Sequence, residues 1–476
     1  MSSITMTSPE NLTPVSAEEI LSRAEALRNN LSSGFRDEIV KSVYAEAERI
    51  ARRAVKTESQ KKYDLDQKID RLVTSPLTGL PIMLLLLAII IWLTVSGANV
   101  VSEAIATALF TLGDWGRALF TRLNMPWWLT GFIWDGTYRG LAWVISVMLP
   151  PMAIFFPAFT ILEDLGYLPR VAFNLDWLFK KAGAHGKQSL TMAMGFGCNA
   201  AGVISTRVID SPRERLIAIL TNNFVPCNGR FPTLIMLATV FVAAAFPPGL
   251  TSFIAAGTVV AVVLIGVGFT FLMSWLLSKT VLVGEASAFT LELPPYRRPN
   301  IGRILYTSLI DRTIFVLWRA IQTAVPAGAV IWILANIPFG DSSLAHAIAG
   351  WLNPFGYLLG LDGVILLSYI IAIPANEIVV PTMMMMYMGT GMMVEGPGTT
   401  EGIRSLLIGQ HGWTLLTAIN LMLFSLLHNP CATTIMTIFK ETRSMKWTVL
   451  SVVITLGTAF LVTFLTATLA RAAGWV

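Results

Sequence analysis

A run of about 20 apolar residues is long enough to cross the roughly 30 Å hydrocarbon core of a bilayer. There it must be helical, because only a helix or a closed barrel satisfies its own backbone. This chain of 476 residues carries such runs from residue 80 almost to its end. The run at 250–278 is uninterrupted, and those at 80–97, 321–337 and 447–469 read as further spans. Others carry residues that a continuous helix resists: Pro150-Pro151 within 138–162, Gly195-Phe196-Gly197-Cys198-Asn199 within 190–205, Pro226-Cys227-Asn228-Gly229-Arg230 within 215–246, and Pro374-Ala375-Asn376-Glu377 within 358–388. Asn429-Pro430-Cys431 follows the run at 413–427. The expected fold is all-α, a polytopic membrane protein of about eight to ten membrane segments, with broken or re-entrant helices placed where backbone lines a cavity or is buried in protein.

Composition agrees. The chain is 54% hydrophobic and 13% charged, against about 25% charged for soluble domains. Its net charge of +5 lies mostly in loops and the N-terminal arm, which reads as topology and lipid contact and not as nucleic-acid binding. Three cysteines cannot all pair, and none has zinc-type C-x-x-C spacing. No apolar h-region marks a cleavable signal, so the first span is expected to act as the insertion signal. His185-Gly186-Lys187 is no P-loop, since Lys181 stands where the first glycine is required. With no nucleotide motif and no nucleophile–base pair, an enzyme is not expected.

Residues 1–75 read as a cytoplasmic N-terminal helical hairpin. Ser16-Ala17-Glu18-Glu19 fits a capping box. Over 36–56, Val40, Val43, Ala47, Ile50, Ala51 and Ala54 recur at helical spacing, giving a face for helix packing or for a partner. Arg52, Arg53, Lys56, Lys61, Lys62, Lys68 and Arg71 precede the first span and place the arm in the cytoplasm of an inner membrane. Residues 98–137, rich in Trp, suit an external interfacial segment, and 190–205 lies between two basic loops, as a re-entrant segment does. Residues 301–320 read as an amphipathic interfacial helix.

A weak internal repeat divides the rest into 76–280 and 281–476. Cys198, Arg207, Ser211 and Arg213 match Cys431, Lys440, Ser444 and Lys446 at equal offsets, and upstream each half has an acidic residue in a Pro-containing apolar run, Glu163 and Glu377. Interrupted segments in corresponding places point to a transport site. A carboxylate at mid-bilayer costs about 2.5–3.5 kcal/mol, so Glu377 is expected to face a cavity or a partner. Sulfur together with carbonyl and amide oxygen suits a divalent transition metal better than Mg2+ or Ca2+. Fe2+, Mn2+ and Zn2+ all satisfy that chemistry. The candidate metal ligands are Cys198, Cys227, Cys431, Asn199, Asn228 and Glu377. Candidate gating or pathway positions are Glu163, Gly195, Gly197, Pro226, Pro430 and Met384. Met384 belongs to a thioether cluster, Met383–Met386 with Met388, Met392 and Met393, whose plainer role is adaptable packing.

The run Ile161-Leu162-Glu163-Asp164-x-Gly166-Tyr167-x-x-Arg170, followed by Gly195-Phe196-Gly197-Cys198-Asn199 and Arg213-Glu214-Arg215-Leu216, resembles the membrane domain of the FeoB ferrous-iron transporters. Asp66-x-Lys68-Ile69-Asp70-Arg71 before Gly79-x-Pro81 resembles that family's entry into its first membrane helix. The resemblance implies two Gate-type repeats, a Cys-lined path for Fe2+ as the transported ion with no permanent cofactor, and a cytoplasmic G domain that drives or regulates it. That G domain normally precedes the arm with which this sequence begins, so the expectation is a separate small GTPase docking on residues 16–56, or transport without nucleotide. Departures from the family pattern are Ala200-Ala201 after Cys-Asn, Pro226 before the second cysteine, and Asn376 before Glu377. Two other readings stay open, a non-transporting membrane scaffold for a GTPase and a permease for a small organic solute such as a nucleoside. A homo-oligomer is also open.

Overall fold

The computed structural model describes residues 19, 21–23, 26, 35–54, 60–75, 77–247, 250–284, 295–340, 342–391 and 400–474. Ser16–Glu18 of the expected capping box, and Met392 and Met393, lie outside them. The chain divides into two compact units, residues 1–65 with 287–292, and residues 66–286 with 293–476. In the first, α1 (Phe35–Ala54) is the helix expected from the periodicity over 36–56. Its surface is laced by i,i+3 and i,i+4 pairs such as Arg52–Glu48 at 2.6 Å, while Val43 and Ile50 stay exposed.

The second unit begins within α2 (Gln60–Val73) and is almost entirely helical. Helix α3 (Gly79–Arg122) does not stop near residue 97, as its hydropathy suggests, but runs on for 44 residues. No proline interrupts 98–122, and alanine-rich sequence propagates a helix well. A π-helical turn (Gly131–Tyr138) leads into α4 (Arg139–Asp164). The interfacial segment expected over 98–137 is therefore helical for most of its length, and Trp115 and Trp127 lie exposed along it. Pro150, Pro151 and Pro157 all sit inside α4, which they do not break. Packed neighbours hold a proline-containing helix together in a membrane and re-satisfy the carbonyls it frees.

Then follow α5 (Tyr167–Lys181), α6 (Gln188–Gly197), α7 (Asn199–Ser205), α8 (Pro212–Thr221), α9 (Phe231–Leu237), α10 (Thr251–Lys279), α11 (Phe315–Asn336), α12 (Leu344–Leu358), α13 (Gly363–Ile371), α14 (Val379–Met388), α15 (Leu415–Leu427), α16 (Ala432–Thr442) and α17 (Met445–Ala472). Among the described residues, five helical stretches are long and apolar enough to span a membrane, or six if the pair α12–α13, bent by 110°, counts as one. Eight to ten segments were expected. The difference lies in shorter apolar helices, Gly79–Thr94, Ile301–Ile310 and Ala320–Asn336, which fall below spanning length by that measure. The chain is a multi-pass membrane protein.

Lipid tails are as apolar as leucine, so packing and interhelical hydrogen bonds hold such helices together. Asn420 of α15 shows the pattern. Its amide donates to the carbonyls of Leu359 (2.8 Å) and Thr463 (3.3 Å) and accepts from Thr466 Oγ1 (2.6 Å), joining α15 to α17 and to the end of α12. The two post-cysteine helices of the repeat, α7 and α16, pack on one another. Just past α7 and at the start of α8, Arg207 (2.5 and 2.9 Å) and Arg215 (3.2 Å) both donate to Glu441 of α16.

At the arm's entry, Arg170 is fully buried and grips Asp70 with two bonds (3.0 and 3.3 Å) while stacking on the Tyr296 ring at 4.0 Å. Tyr296 Oη donates to Asp70 (2.8 Å). Burial raises the Asp70 pKa, but the hydrogen bonds from Arg170 and Tyr296 outweigh it and hold the carboxyl below its ordinary 3.8. His185, between α5 and α6, is pushed below 6.5, chiefly by burial with the Glu214 carboxylate opposing. Its Nδ1 accepts from the Lys187 backbone N–H at 3.0 Å, which suits a neutral ring. At both groups the unfolded chain binds a proton that the folded chain resists, so stability falls with falling pH. Thermal unfolding followed against pH is expected to give a Tm that declines as pH drops through about 6.5 and again near 3.8. His185→Gln is expected to lessen the first decline, and Asp70→Asn the second, to which the ion-paired carboxylates of Asp210 and Glu441 also contribute.

Candidate functional site

Four helix breaks meet at one place. At the first, α6 ends at Gly197, Cys198 takes extended backbone (φ −155°, ψ 123°), and α7 starts at Asn199. At the second, beyond α8, Val225 and Cys227 are extended before α9 begins. At the third, between α13 and α14, Ala375 is extended and Asn376–Ile378 form a single 3-10 turn. At the fourth, between α15 and α16, His428 is extended and Cys431 is non-helical (φ −60°, ψ 158°). Pro226 and Pro430 lack the N–H that would carry a helix through, so these breaks are written into the sequence.

Residues of all four breaks line a single cavity of about 40 Å3, together with Met148 and Met152 of α4 and Ala320 and Thr323 of α11. Cys198, Cys227, Cys431 and Glu377 are all in that lining. The volume holds a water molecule or a stripped ion and little more. Cys227 is buried, and Cys198 and Cys431 are half-buried. Cys431 Sγ lies 3.5 Å from Thr434 Oγ1. Glu377 rests on Gly229, where a Cβ would run into its carboxylate. Its backbone carbonyl accepts from Trp143 Nε1 at 3.1 Å.

The breaks are tied to each other by backbone bonds. Ala432 N–H donates to the Ile373 carbonyl (2.8 Å), joining the third and fourth breaks. The Asn199 side chain, with its nitrogen toward the carbonyls of Gly195 (3.0 Å) and Val225 (3.1 Å), joins the first and second. Asn222 donates back to the Asn199 carbonyl (3.1 Å). Gly197 lets the tip of α6 close on α4, since a Cβ there would meet the rings of Phe155 and Phe156. Gly195 does the same against Asn222.

Not every expected position faces the cavity. Asn228 is buried but lines a neighbouring apolar cavity of about 300 Å3, between α3, α4 and α9. Glu163 is exposed at the end of α4, away from the site. Met384 is fully buried among core residues, and the thioethers at the cavity are Met148 and Met152 instead. Pro226 and Pro430 are buried at their breaks. Asn376, read from sequence as part of an interruption and as a departure from the family pattern, lines the cavity with its side-chain nitrogen unpartnered. Arg230 was likewise only the end of a break, yet it is buried and bonds across two of them. A charged residue inside an apolar run is itself a signal of function.

No three His, Cys, Asp or Glu side chains among the described residues are gathered tightly enough to hold a metal ion at once. Cys198, Cys227, Cys431 and Glu377 are thus a lining and not a closed cage.

Residues 145–241 and 317–445 match the family model Gate, described as "Nucleoside recognition", and residues 259–311 match FeoB_C, "Ferrous iron transport protein B C terminus". The chain belongs to the FeoB family. It corresponds to that family's membrane domain. It is 29% identical over 464 residues to "Fe(2+) transporter FeoB" of Staphylococcus aureus (strain MSSA476), covering 92% of this chain and 66% of the relative. With the protein of the same name from Campylobacter jejuni it shares 27% over 424 residues, covering 86% and 66%. A "Fe(2+) transport protein A/Fe(2+) transporter FeoB fusion protein" of Porphyromonas gingivalis is 26% identical over 451 residues, covering 84% and 51%. This FeoB-family domain therefore spans no more than 66% of the length of these curated relatives. No solved structure matches it.

Proposed function

We propose that this chain passes a divalent transition metal, with Fe2+ the first candidate, across the membrane through the cavity where the four breaks meet. The observation that carries this reading is the convergence of all three cysteines and Glu377 on one ion-sized space. A metal entering it gives up water for sulfur, carboxylate and carbonyl oxygen. An open lining suits passage, because conduction needs binding weak enough to release. The relatives' printed name, Fe(2+) transporter, supports iron over manganese and zinc. A nucleoside permease fits the meeting point of the breaks less well, since pockets for small organic molecules run to about 300–1,000 Å3 against about 40 Å3 there, and the neighbouring cavity of about 300 Å3 holds none of the cysteines or Glu377. On this reading the basic approach to the first span keeps the arm in the cytoplasm. Nucleotide control, where transport uses it, comes from a separate small GTPase docking on the arm.

The test is uptake of Fe2+ into proteoliposomes by Cys198→Ser, Cys227→Ser and Cys431→Ser, with Mn2+ and Zn2+ as competitors. Each variant is expected to lose about tenfold or more, the usual scale for disturbing a metal's surroundings. Uptake unchanged in all three would remove the cysteines from the path. Protection of the thiols from alkylation by Fe2+ separates transport from a scaffold that carries nothing.

A further inference from the structure

Arg230 follows Cys227 by three residues and is 1% exposed. Its Nη1 donates to the carbonyls of Asn223 (3.0 Å) and Leu426 (2.8 Å), and its Nη2 to those of His428 (2.9 Å) and Asn429 (3.4 Å). Three of these carbonyls stand at the C-terminal end of α15, where helical partners have run out and the helix dipole is negative. The fourth belongs to the break after α8. Among the described residues no carboxylate is within ion-pairing distance of the guanidinium, and its Nε has no partner.

A neutral donor would bond two such carbonyls without the cost of burying a charge in a membrane. Four converging carbonyls are a different matter. Unwound backbone and half-helix C-termini are what hold Na+ and similar cations in broken-helix transporters, and carbonyl rings are what select alkali ions in channels. We propose that the carbonyls of Asn223, Leu426, His428 and Asn429 form a cation station beside the sulfur-lined cavity, and that Arg230 fills it with a tethered charge. Arg230 then keeps oxygen-seeking ions such as Na+ and K+ out of this crossing. It also joins the break after α8 to the end of α15 with no bound ion required. Arg230 is a positioning and specificity-determining residue and touches no transported ion.

The test uses the purified full chain in detergent, with Tm measured in choline, sodium and potassium chloride and with millimolar guanidinium added to choline. The wild-type chain is expected to unfold at the same temperature in all four media. Arg230→Ala is expected to lose stability in choline, to regain most of it with guanidinium, and to regain part of it in sodium or potassium. Arg230→Gln is expected to respond to cations as the alanine variant does, whereas Arg230→Lys, with its own ammonium in the station, is expected to be indifferent to them. An alanine variant equally stable in every medium overturns the proposal. So does a glutamine variant as stable as wild type in choline, because hydrogen bonding alone would then suffice. Should Arg230→Ala yield no folded protein in choline, the yield becomes the readout, and failure of guanidinium, sodium and potassium all to restore it overturns the proposal as well. None of these readouts involves metal uptake, so their failure leaves the transport reading standing.

Discussion

Gly229→Ala is expected to lower Fe2+ uptake by about tenfold or more while leaving the protein folded. Gly229 is not among the glycines with positive φ, so alanine fits the backbone there. The obstacle is Glu377, whose Oε1, Cδ and Cγ all lie where the new methyl group would press, the Cγ at 3.2 Å. A carboxylate at the end of a flexible side chain swings aside at little cost, and the free volume it lines is the cavity of about 40 Å3. The variant thus plugs the path with the protein's own candidate ligand. Uptake into proteoliposomes and Tm, measured together, check this: uptake should collapse and Tm should move by only a few degrees. Adding Glu377→Ala should reopen the space without restoring the carboxylate, so uptake should recover only in part. A Gly229→Ala protein that transports at the wild-type rate would place Glu377 outside the path.

Asp70→Ala is expected to destabilise the membrane unit by about 3 kcal/mol or more, the scale for stranding one member of a buried ion pair. Arg170 is fully buried, and the loss of Asp70 takes away both of its bonds to that carboxylate, while the Gly166 carbonyl (2.7 Å) and the Tyr296 ring stay among its contacts. The converse change, Arg170→Met, should cost less, because the Asp70 side chain is 29% exposed and reaches water. The asymmetry is the measurement: thermal unfolding in detergent should show Asp70→Ala falling further than Arg170→Met. The reverse order would mean that the pair is not organised around a buried guanidinium. Since Asp70 lies on α2 and Tyr296 precedes residue 301, the pair also fixes two cytoplasm-facing approaches, on the proposed topology, to the junction of α4 and α5.

What the sequence determined by itself was local. Long apolar runs with few charges require a multi-pass helical protein, because the backbone has no other partner in hydrocarbon. Proline, glycine and asparagine inside those runs marked the breaks at Cys198, Cys227, Glu377 and Cys431, each of which interrupts helix in the structure. Pro150-Pro151 shows the limit of local marks. The same residue type that stops a helix at 226 and 430 is carried through α4, because the neighbours of α4 settle it.

Only the tertiary structure decided which side chains share a space. The four breaks are up to 233 residues apart, from Cys198 to Cys431, and nothing in the order of residues states that they meet. Helices that are apolar all round carry no stripe to show which face turns inward. Met148 and Met152 therefore could not be preferred over Met384 from sequence, nor Glu377 over Glu163 beyond its deeper position. Arg230 was legible as a charge in an apolar run. That its partners are four carbonyls, three of them nearly 200 residues away, depends on where α15 ends in space.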